Sequence, residues 1–202
     1  MLITTTAYFP PISHHMLAIR QHGWKWEAHE NYQKGGWRNR CQIAGPNKVE
    51  LLSIPLVKGK HQSTPIRDVQ ISYTNDWVRL HKRSISAAYG RSPYFEHYAP
   101  MVFEVLDKRH HSLWELNMEL HKKMLNIFII SDLFDFTDKY AHQYPETVLD
   151  LRRKSAHTDI HHSPYPQVFE DRHGFLSDLS ILDLLFCLGP SGSIHLRKSN
   201  AS

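Results

Sequence analysis

The residues whose side chains are most suited to binding or catalysis lie between Glu30 and Arg40. This segment, ENYQKGGWRNR, holds three cations, three side-chain amides, two glycines and two large aromatic side chains. No Asp or Glu occurs from Asn31 to Val49. Guanidinium groups bind phosphate or carboxylate through paired N–H donors, and glycines let backbone amides approach an anion. The segment predicts an anion site, with a solvated turn as the alternative.

Six side chains are expected to contact an anionic substrate: Tyr32, Gln33, Lys34, Arg38, Arg40 and Arg83. If residues 38–40 are extended, Arg38 and Arg40 point to the same face, because side chains alternate along a strand. Asn39 then faces the other way and holds the loop.

A second basic surface is predicted on a helix from Trp77 to Tyr89, capped by Asn75 or Asp76. No acid occurs between Trp77 and Phe95. The polar face carries Arg79, Lys82, Arg83 and Ser86, and the apolar face carries Val78, His81, Ile85 and Ala88. We expect this helix and the 30–40 loop to form opposite walls of one site. His81 is a candidate proton carrier, with a structural role in the core as the alternative.

Other reactive residues allow weaker hypotheses. Cys41 follows the cations directly, so they could activate its thiol as a nucleophile. His157, Asp159, His161 and His162 lie close in sequence, and His157 and His161 have a helical metal-ligand spacing. Pro164 follows and no third ligand stands at a telling distance, so no metal site is predicted. Aromatic residues near the basic segment could stack on nucleobases, namely Trp24, Trp26, Tyr32 and Trp37.

Composition favours one globular domain spanning residues 1–202, with 132–166 as a less regular segment. Lys plus Arg exceed Asp plus Glu by 24 − 20 = 4, a mild excess that suits a small phosphate-bearing ligand better than nucleic acid. Two isolated cysteines favour a reducing compartment, and no signal peptide or membrane span is evident. We therefore expect a cytoplasmic protein, whose oligomeric state the sequence leaves open.

Periodicity predicts an α/β fold, with α+β as the alternative. Strands are predicted at residues 2–9, 24–29, 49–57 and 69–73, and helices from 12 or 13 to near 23 and at 77–89, 94–106, 113–127 and 179–188. A further strand is expected at 128–130. The strand–helix–strand opening is typical of a βαβ unit. Asp183 lies in an apolar helix, so it must be paired or hydrogen-bonded, and a structural role is expected for it.

Several motifs resemble those of the WbqC-like protein family. They are Ala7-Tyr8-Phe9-Pro10-Pro11-Ile12, Glu30-Asn31-Tyr32-Gln33-Lys34, Arg38-Asn39-Arg40, Ser84-Ile85, Ala88-Tyr89, Ser92-Pro93-Tyr94-Phe95-Glu96, Gln167-Val168-Phe169, His173-Gly174-Phe175-Leu176 and the run from Leu179 to Phe186. The resemblance implies a place in O-antigen or other cell-surface polysaccharide synthesis. For some members, transfer of an acyl or aminoacyl group to an amino sugar has been suggested.

The first helix also resembles the start of HIGH-type nucleotidyltransferases, in which a helix N-terminus receives nucleotide phosphates. His14 matches the final histidine of that motif and would be a second candidate proton carrier. Ser13 replaces the glycine and Pro11 replaces the first Thr or His, which puts close approach of a phosphate in doubt. A nucleotide is the one cofactor that this resemblance suggests.

Two functions remain open. The first is a transferase acting on a nucleotide-linked amino sugar or a similar phosphate-bearing small molecule. The second is a non-enzymatic binding or scaffolding protein whose basic surface recognises an acidic partner. The residues do not decide whether the chain is an enzyme.

Overall fold

The computed structural model describes residues 1–57, 63–130, 134–152 and 163–198. In chain order, the elements are β1 (Leu2–Thr4), α1 (Ile12–Arg20), β2 (Trp24–Trp26), β3 (Arg40–Ala44), β4 (Val49–Ser53), α2 (Trp77–Tyr89), α3 (Phe95–Asp107), α4 (Leu113–Phe128), β5 (Phe134–Phe136), β6 (Leu149–Asp150), α5 (Glu170–His173), α6 (Ile181–Leu188) and α7 (Gly192–Arg197).

Four short strands form a parallel sheet in the order β5-β2-β1-β6. Leu2 pairs with Trp24 on one side and with Leu149 on the other, and Trp24 pairs with Phe134. Helix α1 connects β1 to β2, so the predicted βαβ opening is confirmed. The chain adds strands outward from β1 through β2 to β5, then returns to place β6 on the opposite side of β1. The direction of strand addition therefore reverses between β1 and β6.

The two faces of this sheet differ in polarity. Trp24 and Trp26 point to one face, where His121 of α4 lies 4.3 Å from the Trp26 ring, centroid to centroid. The next residue along, Lys25, points to the other face and pairs with Asp135 of β5 at 3.1 Å. Side chains alternate along a strand, which places Lys25 opposite the two tryptophans. The contact of His121 with Trp26 shows that α4 covers the aromatic face.

The antiparallel hairpin β3–β4 and four helices enclose the larger core. Arg40 pairs with Ser53 in the hairpin register. Fully buried side chains from α2, α3, α4 and α6 meet there, including Ile85, Val102, Leu120 and Leu184. The sequence Ser112-Leu113-Trp114-Glu115 has the pattern of a capping box, which predicts Ser112 as the N-cap of α4. The structure confirms this cap, because Ser112 Oγ accepts a hydrogen bond from the Trp114 amide at 3.1 Å. Helix α2 has the predicted bounds.

Asp183 is fully buried in α6 and hydrogen-bonded, as its apolar surroundings require. Its Oδ2 accepts from the Tyr165 hydroxyl at 2.6 Å and from Gln167 Nε2 at 2.9 Å. Burial raises the pKa of this carboxyl, and the Tyr165 and Gln167 hydrogen bonds oppose the rise. These two hydrogen bonds connect α6 to the segment that precedes α5.

Several predicted boundaries are wrong. Strand β1 ends at Thr4 and not at residue 9, β2 ends at Trp26, and β4 ends at Ser53. Residues 69–73 form no strand, because Gln70 and Ile71 make only isolated bridges, to Ser112 and Leu56. Residues 128–130 are not a strand either, since α4 continues to Phe128 and ends with Ile129 in the left-handed conformation.

Three strands were not predicted. Strand β3 occupies part of the segment interpreted as a loop, and β5 and β6 lie within the segment expected to be least regular. Strand β3 has five residues and forms a hairpin with β4. Strands β5 and β6, of three and two residues, are too short to display a period of two, and their pairing partners are distant in the chain. Parallel pairing with β1 and β2 makes them strands.

Candidate functional site

Segments that follow the carboxyl ends of the parallel strands β2, β5 and β6 line a polar cleft. In open α/β sheets, ligands bind at this edge, close to the point where the strand order reverses. Glu27 follows β2, Thr137 follows β5 and Arg152 follows β6, and all three are buried. The cleft lies above these residues.

Two adjoining cavities make up the cleft. The inner one, of about 290 Å³, is lined by Glu30, Gln33, Tyr140, His142, Gln143 and Arg152. The outer one, of about 670 Å³, is lined by His29, Asn31, Tyr32, Gln33, Lys34, Tyr140 and His142. Gln33, Tyr140 and His142 line both. Three of the six predicted anion-binding residues, Tyr32, Gln33 and Lys34, therefore line one concavity.

Arg152 forms the rigid floor of the inner cavity. Its Nε and Nη2 donate to the two oxygens of Asp150 at 2.9 and 2.7 Å, and its Nη1 donates to Glu27 Oε2 at 3.0 Å and to the Ala141 carbonyl at 2.7 Å. The guanidinium also lies 5.0 Å from the Tyr140 ring centroid and 4.7 Å from that of Tyr144. A guanidinium held by this many partners presents a fixed geometry to a ligand.

Glu27 joins the ends of β2, β5 and β6. Its Oε1 accepts from the Thr137 hydroxyl at 2.7 Å and from the His29 amide at 3.0 Å, and its Oε2 accepts from Arg152. The Thr137 hydroxyl in turn accepts from the Ala28 amide at 3.1 Å. The side chain that follows β2 thus fixes the cleft wall to the sheet beneath it.

Arg38 pairs with Glu30 behind the cleft. Its Nε and Nη2 donate to Glu30 Oε1 and Oε2 at 2.9 and 2.6 Å, and Nη2 also lies 3.4 Å from the Arg152 carbonyl oxygen. Burial raises the pKa of Glu30, and the Arg38 hydrogen bonds oppose that rise. Arg38 is 3% exposed and lies in a turn. Residues 38–40 are therefore not extended throughout, and the prediction that Arg38 and Arg40 point to the same face of a strand does not apply. Its charge is used within the protein.

Asn39 and Tyr32 brace the same loop. Asn39 Nδ2 donates to the Ile54 carbonyl at 2.8 Å, and the Tyr32 hydroxyl donates to Asn39 Oδ1 at 3.1 Å. These contacts connect the 30–40 loop to the residue that follows β4. Arg40 is half-buried on β3 and lines neither cavity of the cleft.

Neither histidine expected to move a proton lines the cleft. His81 is 4% exposed, and its Nδ1 lies 3.0 Å from the Tyr8 hydroxyl. Burial lowers the pKa of His81 to about 4 and that of His14 to about 4. At the start of α1, the Asp178 carboxylate accepts from the Ser13 amide at 2.8 Å and from the Ser13 hydroxyl at 2.9 Å. The chain's own carboxylate thus occupies the helix end at which a phosphate was expected.

Arg83 lies on a different surface. It lines a groove of about 620 Å³ between α2 and α3, together with Arg79, Lys82, Phe103 and Arg109. Lys82 donates to both oxygens of Asp107 at 2.9 and 2.7 Å. This groove shares no lining residue with the cleft. The two basic segments that were expected to face each other therefore line separate cavities.

The remaining sequence candidates are buried or lie outside the described residues. Cys41 is fully buried and burial raises the pKa of its thiol, which disfavours the thiolate that a nucleophile needs. Trp24 and Trp26 lie in the core, so neither can stack on a ligand. His157, Asp159, His161 and His162 are outside the described ranges. Within those ranges, no group of three or more His, Cys, Asp or Glu side chains is arranged to hold a metal ion.

The cleft residues that sequence reasoning missed are Glu27, Tyr140, His142 and Arg152. Three of them lie between 132 and 166, where no periodicity indicated a strand. Glu27 carried one usable signal, since an acid directly after a Trp-rich strand stands at the sheet edge where ligands bind. Arg152 had none, because Glu27 lies 125 residues away in the chain.

Together, the parallel sheet and its strand reversal define an α/β protein with a polar cleft at the carboxyl edge of the sheet. The chain belongs to the WbqC-like protein family, whose model matches residues 6–160. The matched range includes the cleft residues and ends before the motifs at 167–186.

A relative in Mycobacterium tuberculosis, the uncharacterized protein Rv1507c, is 26% identical over 196 residues, covering 82% of this chain and 84% of that protein. None of the solved structures matches this chain. Among the described residues, no helix is both long and apolar enough to cross a membrane.

Proposed function

We propose that this chain is a transferase of cell-surface polysaccharide synthesis. In this proposal it binds a nucleotide-linked amino sugar, or a similar phosphate-bearing small molecule, and transfers an acyl or aminoacyl group to it. Membership of the WbqC-like family supports the pathway class. The observation that carries the binding role is the cleft at the carboxyl edge of the sheet, lined by Gln33 and Lys34 beside the fixed Arg152. A cytoplasmic location is part of the proposal.

Lys34 is the cation that we assign to the phosphate. Its side chain is exposed on the outer cavity, and no described acid lies within ion-pair distance of it. Arg38 and Arg152, in contrast, are each paired with buried carboxylates. A flexible ammonium that pairs with no acid in the described ranges can neutralise an incoming phosphate at little cost. Gln33 beside it would orient the substrate.

We assign proton transfer to His142, because it lines both cavities of the cleft, whereas His29 lines only the outer one. It is exposed, lines both cavities and packs edge-on against Tyr140 at 5.1 Å. In the transfer, the amine nitrogen of the acceptor forms a bond to the carbonyl carbon of an activated acyl donor. The leaving group departs with its electron pair, and His142 accepts the proton released by the amine.

A titration of the full chain tests the binding role. Melting temperature would be followed against inorganic phosphate, nucleotides and nucleotide-linked amino sugars, because a ligand that binds only the folded state raises it. We expect a rise that Lys34→Ala reduces and Lys48→Ala retains. Lys48 is exposed in the turn between β3 and β4 and lines neither cavity of the cleft. Lys48→Ala therefore removes the same charge from the protein without changing the cleft. No rise with any of these ligands at millimolar concentration, or equal effects of the two variants, would contradict the proposal.

The α2–α3 groove supports a second candidate, a binding protein without catalysis. Its lining cations, Arg79, Lys82, Arg83 and Arg109, outnumber its lining acids, Asp76 and Asp107. An acidic peptide would fit that excess. Fluorescence anisotropy with a polyglutamate peptide tests this reading, which predicts salt-sensitive binding that Arg83→Glu abolishes. Binding that is unchanged in this variant would exclude the groove.

A further inference from the structure

Tyr140 presents an aromatic ring to both cavities of the cleft. The residue is 41% exposed, although it forms part of the cleft wall. The Arg152 guanidinium lies over one face of the ring at 5.0 Å, and His142 meets the ring edge-on. Because Arg152 is itself held by Asp150 and Glu27, these contacts fix the ring while leaving part of its surface open to a ligand.

The other aromatic side chains near the basic segment cannot take this role. Trp24, Trp26 and Tyr32 are 1%, 0% and 3% exposed. Trp37 is half-buried and lines neither cavity. Among the described residues of the cleft, Tyr140 is therefore the large aromatic ring that a flat ligand can reach. Stacking on such a ring stabilises any nucleobase, because every base has a π-face.

Three exposed side-chain amides line the same cavities as this ring: Asn31 the outer one, Gln143 the inner one and Gln33 both. An amide offers a donor and an acceptor side by side, which matches the paired hydrogen-bonding groups on the edge of a base such as adenine. Lys34 lies in the same outer cavity, whose volume of about 670 Å³ is in the range of small-molecule sites. Ring, amides and cation together suit a nucleoside phosphate.

We propose that the cleft recognises a nucleotide through its base, which stacks on the exposed surface of Tyr140 while its phosphate reaches Lys34. This inference rests on the proposed phosphate-binding role of the cleft and adds the base as the group that is recognised. Tyr140 is then a specificity-determining residue, and Arg152 positions it.

Calorimetric titration of the full chain with AMP, adenosine and ribose 5-phosphate tests the inference. The wild type should bind AMP more tightly than ribose 5-phosphate by roughly 5- to 150-fold, the range that base stacking on an aromatic side chain produces. Tyr140→Leu should remove that preference and leave the affinity for ribose 5-phosphate unchanged. Tyr140→Phe is the matched control, because it keeps the ring and should keep the preference.

The three ligands separate the inference from the proposed function. Equal affinity of the wild type for AMP and ribose 5-phosphate, with binding that Lys34→Ala weakens, would overturn the stacking and leave the phosphate role standing. Unchanged AMP affinity in Tyr140→Leu would also overturn it. Binding of adenosine as tightly as AMP would sustain the stacking and contradict the phosphate role. Failure of all three ligands to bind would overturn both.

Discussion

Arg38 and Glu30 form a two-pronged ion pair beneath the cleft, with N–O distances of 2.9 and 2.6 Å. Their side chains are 4% and 2% exposed. One of the three cations in the predicted anion-binding loop, Arg38, therefore stabilises the loop itself. Breaking a buried pair leaves an uncompensated charge, whereas breaking an exposed pair does not.

Replacing Arg38 with Met should lower the free energy of unfolding by about 3–5 kcal/mol, since Glu30 would be left buried without its partner. Denaturant unfolding measures this change. The matched control is Arg79→Met, because Arg79 pairs with Asp76 at 3.0 Å on the surface and should cost at most about 1 kcal/mol. Similar losses in the two variants would show that the Arg38 pair contributes no more than a surface pair.

The buried histidines predict acid sensitivity. Burial lowers the pKa of His14 to about 4 and of His15 to about 3, and lowers that of His121 well below its ordinary value. An unfolded histidine has a pKa of about 6.5, so below that pH the unfolded chain binds more protons than the folded chain. The stability that neutral histidines permit is full above pH 6.5 and is lost as pH falls toward 4, at about 1.4 kcal/mol per pH unit for each histidine.

His121→Leu should reduce this pH dependence by the share of one histidine. It should preserve or raise stability at pH 7.5, because neither His121 ring nitrogen has a hydrogen-bond partner among the described residues. Urea unfolding at several pH values between 7.5 and 5 measures both effects. His97→Leu, at an exposed position, should leave the slope unchanged. A slope that His121→Leu does not alter would mean that this histidine binds protons equally in the folded and unfolded states, and would contradict the prediction.

Substitutions at His142 and His81 should have opposite effects, the first on activity and the second on stability. His142→Gln should change the free energy of unfolding by less than about 0.5 kcal/mol, because the side chain is exposed. It should slow acylation of a nucleotide-linked amino sugar by about 100-fold or more, the usual share of a general base. Product formation by mass spectrometry reports the rate.

His81→Leu should act in the opposite way. It leaves the Tyr8 hydroxyl, which is fully buried, without this partner and should cost about 1–3 kcal/mol of stability. A His81→Leu protein that is as stable as the wild type but inactive would return the catalytic role to His81, in line with the expectation from sequence.

Gly189 is predicted to be irreplaceable at the end of α6. Its φ is 54°, and a Cβ there would lie 2.6 Å from the Tyr94 ring. Gly189→Ala should therefore cost about 2 kcal/mol or more, through backbone strain and overpacking. Gly23→Ala is the control, because a Cβ at Gly23 meets no atom within 4 Å and its φ lies outside the left-handed range. Thermal unfolding of the two variants checks the difference.

Local signals in the amino-acid sequence were sufficient to predict several elements. Helix α2 runs from Trp77 to Tyr89 as predicted, because its amphipathic period and Gly90 are both local. Ser112 identified the start of α4 for the same reason. The strand–helix–strand opening and the family resemblance were also readable, since each depends on contiguous residues.

Which residues form the candidate site depends on contacts between segments that are distant in the chain. Glu27 and Arg152 are 125 residues apart, and they meet because β2 and β6 end at the same edge of the parallel sheet. Arg38 looked like an anion ligand until the fold placed Glu30 against it, and Tyr140 reached the cleft because β5 pairs with β2. Residue types indicate which chemistry is possible. Charge pairing and burial depend on contacts between distant segments, and local sequence patterns do not encode those contacts.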